Sequence, residues 1–341
     1  INNRDLRDLS VDLARTKQLA AEIPADRVVI SESGINHRAQ VADLIGASPE
    51  EIVFTGGGTE SVNTALLSLH ALTGDGAAVV SAIEHSAVLR CVENLPRERR
   101  LVPVNACGSL DMGAFEAALD GAAFVSIMTA NNETGVMQPC EAIADAVRGA
   151  GGLYLCDAAQ GAGKLTLPDA DLIALSAHKF GGPVGVGALL VRDWSMLRPT
   201  GGQERGYRPG TENLPGVLGM VAALEAGAGW LEEAVRLRDR LDTAIMASGG
   251  TSVAEDTARV PSIAAYRMPG KSAQVQLIRF DSMGIAVSAG SACSSGSLKT
   301  SHVLSAMGLD GADEVIRVSI GRETTEAQID RFIAAWREIA A

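Results

Sequence analysis

GLYLCDAAQGAGKLTLPDADLIALSAHKFGGPVGVGALLVR, residues 152–192, contains three short apolar runs, GLYLCDA, DLIALSA and GALLVR, divided by small residues and prolines. Apolar runs of this length bounded by Gly and Pro read as buried strands. The first two end on residues that an apolar strand does not call for. Asp157 closes one, with Gln160 a turn further on, and Ser176, His178 and Lys179 close the next. A carboxylate at the end of so apolar a strand is costly unless it meets a cation or a protonated ring nitrogen. A lysine among small residues suits a partly desolvated amine that forms a Schiff base with a carbonyl compound. The plainer readings are a helix-capping Asp and a surface lysine.

The pattern repeats outward. EIVFT (51–55), AAVVSAI (77–83) and FVSIMTA (124–130) read as strands, and ESVNTALLSLHAL (60–72), SAVLRCVENL (86–95) and CEAIADAVRGAG (140–151) as helices. Strand–helix alternation predicts an α/β fold with a mostly parallel sheet covered on both faces, which places ligands beyond the carboxyl ends of the strands. Residues 212–247 read as one long helix. SIAAYRM, a helix through SAQVQLIRFDSMG, the runs IAVSAGS and VIRVSIG as strands, and a closing helix from Glu326 predict a smaller α+β domain.

Composition narrows the function classes. The chain has 341 residues, 47% of them hydrophobic, enough for about two domains with a real core. A net charge of −12 argues against a nucleic-acid surface, which needs clustered Lys and Arg. No apolar run reaches membrane-spanning length, so the expectation is a cytoplasmic protein acting on small molecules or proteins. Five cysteines without CxxC spacing argue against a disulfide framework and a zinc site.

The remaining candidates also sit at strand ends. TGGGTES (55–61) offers converging backbone N–H groups and a helix N-terminus, with Thr59 able to cap and Gly58 leaving room for an anion such as phosphate; a flexible turn is an equal reading of the motif alone. His85 follows one strand, and Asn131 and Asn132 follow another. Cys293 lies in SAGSACSSGSL (288–298), a run of small residues that suits an accessible nucleophilic thiol. Arg317 and Arg322 flank a strand end, where an arginine fork suits a carboxylate.

From about residue 38 to the C-terminus these motifs, in this order, resemble the cysteine desulfurases of the class V aminotransferase family, in the NifS/IscS-like branch. The segments that carry the resemblance are EIVFTGGGTES, EHSAV, ANNETGVMQP, CDAAQGAGK, SAHKFGGPVGVGAL, GGQERGYRPGTEN, SAGSACSSGS and IRVSIG. The resemblance implies a homodimer of fold type I dependent on pyridoxal 5'-phosphate (PLP), with a large domain over 38–215 and a linking helix and small domain over 216–341. Lys179 would hold PLP and remove the Cα proton of L-cysteine. Asp157 would face the pyridinium nitrogen, Gln160 the ring hydroxyl, and His85 would stack on the ring. Gly58, Thr59, Ser176 and His178 would bind the phosphate together with Thr211 of the second copy. Asn132 and Arg317 would hold the substrate carboxylate. Cys293 would take the sulfur as a persulfide, releasing alanine, and pass it to an acceptor such as an Fe–S scaffold or a tRNA-thiolation enzyme. A selenocysteine lyase or small-amino-acid transaminase of the same family is the alternative, though transamination needs no thiol.

Two departures accompany the resemblance. The family usually has Lys where GGPVG places Val184, and its opening strand and helix are not found. Instead INNRDLRDLSVDLARTKQLAAEIPADRVVISESGI (1–35) resembles the last two strand–helix units of indole-3-glycerol-phosphate synthase. INNRD and VISESGI would be strand ends, with Asn2, Arg4, Glu32 and Ser33 at that family's substrate positions. Two of eight units cannot close a barrel, so synthase activity is not expected. The reading is a chimaeric chain with a foreign piece over 1–37 and a join near residues 36–40. An inactive remnant that binds PLP weakly is the contrasting expectation.

Overall fold

A computed structural model describes the backbone of residues 30–290 and 300–341, and the side chains of 37–290 and 300–341. In chain order the elements are α1 (Ile30–Ile45), β1 (Ile52–Thr55), α2 (Gly58–Leu72), β2 (Ala77–Ser81), α3 (Ser86–Glu93), β3 (Arg99–Val102), α4 (Met112–Ala118), β4 (Ala122–Ser126), α5 (Cys140–Gly149) and β5 (Leu153–Asp157). They continue with β6 (Leu172–Ser176), β7 (Gly187–Val191), α6 (Leu214–Glu225), α7 (Leu231–Met246), β8 (Thr251–Ser252), β9 (Ile263–Arg267), α8 (Ala273–Ser282), α9 (His302–Ala306), β10 (Val315–Ser319) and α10 (Glu326–Ala340).

Three expectations need correction. VISESGI was expected to end a strand, but from Ile30 onward the chain is helix α1; further along it Val41 and Ala42 are fully buried. The single helix expected over 212–247 is two, α6 and α7, because Gly227 takes φ 67° and ends the first. IAVSAGS was expected to be a strand, but among its described residues only Ser288 makes an isolated bridge, to Arg317, and Gly290 turns the chain at φ 56°.

The chain divides into two compact units. One comprises the residues up to Gly74 with Tyr154–Gly227. Its strands run β1–β7–β6–β5, with β5 and β6 parallel and β7 antiparallel to both β6 and β1. The antiparallel turn follows from chain length, since only residues 177–186 separate β6 from β7 and no crossover helix fits. β1, β6 and β7 are buried throughout, as expected of strands covered on both faces. Helix α2 packs on β6 and β7 through Val62, Ala65, Leu66 and Leu69, a stripe at spacings of three and four. Arg38 of α1 ion-pairs at 2.7 Å with Glu204, whose side chain is almost fully buried. Glu204 also accepts from the Phe54 N–H at 3.0 Å. That pair anchors the segment that leads to Thr211.

The other unit comprises Asp75–Leu153 and Ala228–Ala341. Here β2 pairs in parallel with both β3 and β4, while β10–β9–β8 form a small antiparallel sheet. This α+β part is closed by α10, whose Ile329, Phe332, Ile333, Trp336 and Ile339 line one face. Phe332 stacks on Phe280 of α8 at 4.9 Å. A second cluster joins Ile83, Val253, Val303, Leu304 and Val315. It holds the strand end at His85 against α9, in the same unit. Among the described residues no helix is long and apolar enough to cross a membrane.

Candidate active site

In the unit that contains Lys179, Ser176 and His178 lie beside the start of α2, and Asp157 and Lys179 follow from adjacent strands. β1 ends at Thr55, and Gly56 and Gly57 turn the chain into the helix with Gly57 at φ 141°, a backbone region that side chains disfavour. Close approaches at Gly187 and Gly58 press this turn against the neighbouring strands. A Cβ on Gly187 would lie 2.4 Å from the Leu175 carbonyl oxygen and 2.8 Å from Gly57 Cα. A Cβ on Gly58 would lie 3.3 Å from Ser176 Cβ. The helix N-cap is therefore Gly57, which carries no side chain, and not Thr59, which lies exposed in the first turn. The expected cap is corrected on this point, and no side-chain cap occupies the first N–H groups of α2.

Ser176 Oγ and His178 Nδ1 are 3.0 Å apart beside this helix start. His178 has its pKa lowered, first by burial and then by the Lys179 ammonium, so its ring is neutral at neutral pH. Lys179 ends the short 3-10 turn that follows β6 and is exposed. Asp157, 8% exposed at the end of β5, accepts from the Ala159 N–H at 3.0 Å, which fixes one carboxylate oxygen. Gln160 is equally buried. Its Oε1 accepts from Lys164 Nζ at 3.3 Å. Thr211 is exposed, and its backbone is held by Arg208, which donates to the Gly210 and Thr211 carbonyls at 3.1 and 3.3 Å and ion-pairs with Glu60 of α2 at 2.7 Å.

These features fit PLP. A phosphate needs converging N–H and O–H donors, and the uncapped N-terminus of α2 with Ser176 and His178 supplies them where Gly58 leaves no room for a side chain. A pyridinium nitrogen needs a buried carboxylate, and an aldehyde needs an amine; Asp157 and Lys179 stand at the ends of adjacent strands. Sequence reasoning missed Lys164, whose GAGK context offers no periodic or charge signal, and missed the Arg38–Glu204 anchor.

The other unit assembles the remaining residues by hydrogen bonds. His85 caps α3, its Nδ1 accepting from the Ala87 N–H at 3.1 Å, which leaves Nε2 as the protonated nitrogen of the neutral ring. Asn131 is fully buried and organises its own loop, donating to the Ile83 carbonyl and accepting from the N–H groups of Glu133 and Thr134. Its role is structural. Asn132 offers its carbonyl to Arg317 Nη1 at 2.8 Å, so these two expected residues meet, whereas Arg322 is exposed. Cys293 lies outside the described residues, but both flanks of its segment are fixed in this unit. Ser288 pairs with Arg317. Ser301 Oγ donates to Glu133 at 2.5 Å, and His302 Nε2 lies 3.0 Å from the Glu84 carbonyl oxygen.

Comparison with known proteins sets this geometry in a family. The Aminotransferase class-V profile matches residues 30–332, and the Indole-3-glycerol phosphate synthase profile matches residues 1–53. A cysteine desulfurase of Bradyrhizobium diazoefficiens is 42% identical over 325 residues, covering 89% of this chain and 82% of its own. One from Cereibacter sphaeroides is 40% identical, covering 87% and 81%. The solved structure of a NifS-like protein superposes with a TM-score of 0.85 at 31% identity, covering 99% of this chain and 96% of that one. The two profiles overlap over residues 30–53, which contain α1 and the first two residues of β1.

Proposed function

Because the chain belongs to the class-V aminotransferase family and is a PLP-dependent cysteine desulfurase of fold type I, we propose how its own residues divide the work. Lys179 would hold the coenzyme through its amine and would serve as the base at the cysteine Cα. Bound PLP supplies the electron sink for that step. Asp157 would pair with the ring nitrogen and keep it protonated, and Gln160 would hydrogen-bond the ring oxygen. Gly58, Thr59, Ser176 and His178 bind the phosphate, with Thr211 supplied by a second copy in a homodimer. Asn132 and Arg317 orient the substrate carboxylate, and His85, as a neutral imidazole with its proton on Nε2, carries protons beside the ring. The Cys293 thiolate attacks the substrate sulfur. An S–S bond forms as the C–S bond breaks and leaves its electron pair on the carbon fragment, which takes up one proton at Cβ and regains one at Cα from Lys179 before it leaves as alanine.

The observation that carries these roles is the placement of Ser176 and its partner His178 beside the glycine-lined N-terminus of α2, with Lys179 following on the same strand end and Asp157 ending the adjacent strand. Within the other unit, the contact between Arg317 and Asn132 beside the fixed flanks of the Cys293 segment supports the substrate and sulfur roles. The three-part division into 1–37, 38–215 and 216–341 belongs to the same proposal, as do a cytoplasmic location and a sulfur-accepting protein partner. The test is turnover. The chain as given, with PLP, L-cysteine and a thiol reductant, is expected to release alanine and sulfide in equal amounts. Release of a keto acid instead of alanine, or no product from protein that binds PLP, contradicts it.

A further inference from the structure

Lys164 is a half-buried cation that none of these roles uses. It lies in the turn after β5, four residues past Gln160, and its Nζ donates to Gln160 Oε1 at 3.3 Å. Among the described residues it makes no ion pair. The charged group of this unit that acts on it is Lys179. An ammonium has three donors and no acceptor, so the amide atom facing it has to be the oxygen. The Gln160 NH2 is then the group left for a ligand, and it only donates.

We propose that Lys164 is a positioning residue, which locks the Gln160 amide as a donor toward the coenzyme's ring oxygen and sets a positive charge beside Lys179. This rests on the roles proposed above for Gln160 and Lys179. Two consequences have the same sign. A fixed donor favours the ionised ring oxygen over the neutral hydroxyl and makes that oxygen a weaker base. The nearby ammonium repels a proton on the Lys179 nitrogen once the coenzyme is attached. Both lower the pH at which the attached coenzyme loses that proton and its yellow colour fades. Burial, and then Lys179, bring Lys164 itself down to about 8, so it is still largely charged at neutral pH.

The experiment is a pH titration of the coenzyme absorbance in the PLP-loaded protein, followed without substrate. Lys164→Met is expected to move the fading of the yellow band upward by about one pH unit. Lys164→Arg, which keeps the charge and the donors, should titrate close to wild type. Lys164→Gln, polar but neutral, should follow the Met variant, and adding Gln160→Leu to Lys164→Met should produce no further shift of comparable size. A Lys164→Met or Lys164→Gln protein that binds PLP and titrates with wild type overturns the inference. Failure of the underlying reading looks different, because wild-type protein would then not turn yellow at all.

Discussion

Lys179→Ala is expected to give a protein that stays colourless in PLP under conditions that turn wild type yellow, and to lose alanine formation by at least about 10³-fold. The size of the effect follows from the two jobs assigned to one amine. Without it the coenzyme has no covalent seat, and no base is positioned at the substrate Cα. The phosphate donors at α2, Ser176 and His178 remain, so weak non-covalent PLP binding is expected to survive. Lys164 is the neighbouring amine that could substitute, since burial brings it to about 8, but its donor is committed to Gln160. Absorbance after gel filtration with PLP, together with alanine quantification, checks this. A Lys179→Ala protein that is yellow and active places the seat elsewhere.

Cys293→Ala should separate coenzyme chemistry from sulfur transfer. The variant is expected to bind PLP like wild type, because Lys179, Asp157, Ser176 and His178, the proposed seat of the coenzyme, belong to a unit that contains neither Ser288 nor Ser301. Sulfide release in the presence of reductant should fall by at least about 10²-fold, the scale expected when a reacting group is removed. Persulfide on the protein, trapped by an alkylating agent and read by mass, should vanish with it. Alanine output equal to wild type would instead assign the chain to the lyase or transaminase branch of the family. The fixed flanks sharpen the point. Ser301 is held by Glu133, and Ser288 by Arg317, so the segment bearing Cys293 starts and ends beside the loop of Asn132.

The sequence was most legible where one residue type has one use. Asp157, Ser176, His178 and Lys179 each interrupt an apolar run at its end, and their strands formed where the β-branched runs predicted. The Gly-rich turn was ambiguous alone. Its meaning came from packing, because only the structure shows Gly58 against Ser176 and Gly187 against Gly57. Periodicity failed where it carries no stop signal of its own. The run over 212–247 looked continuous until Gly227 adopted a left-handed turn, and IAVSAGS alternates like a strand yet bridges only at Ser288. β3, with the sequence RRLV, was invisible as a strand, because an exposed face lets two arginines occupy it. Asn131 and Asn132 are indistinguishable in sequence; burial and three loop hydrogen bonds make the first structural, and the contact with Arg317 singles out the second. Val184, where the resemblance leads to the expectation of a lysine, is 79% exposed, and nothing around it explains an apolar side chain there.

One measurement reaches the centre of this account. Wild-type protein loaded with PLP, reduced with borohydride, digested and mapped by mass spectrometry should carry the pyridoxyl group on the peptide that contains Lys179. The same group found on Lys164, or no stable adduct in yellow protein, would contradict it.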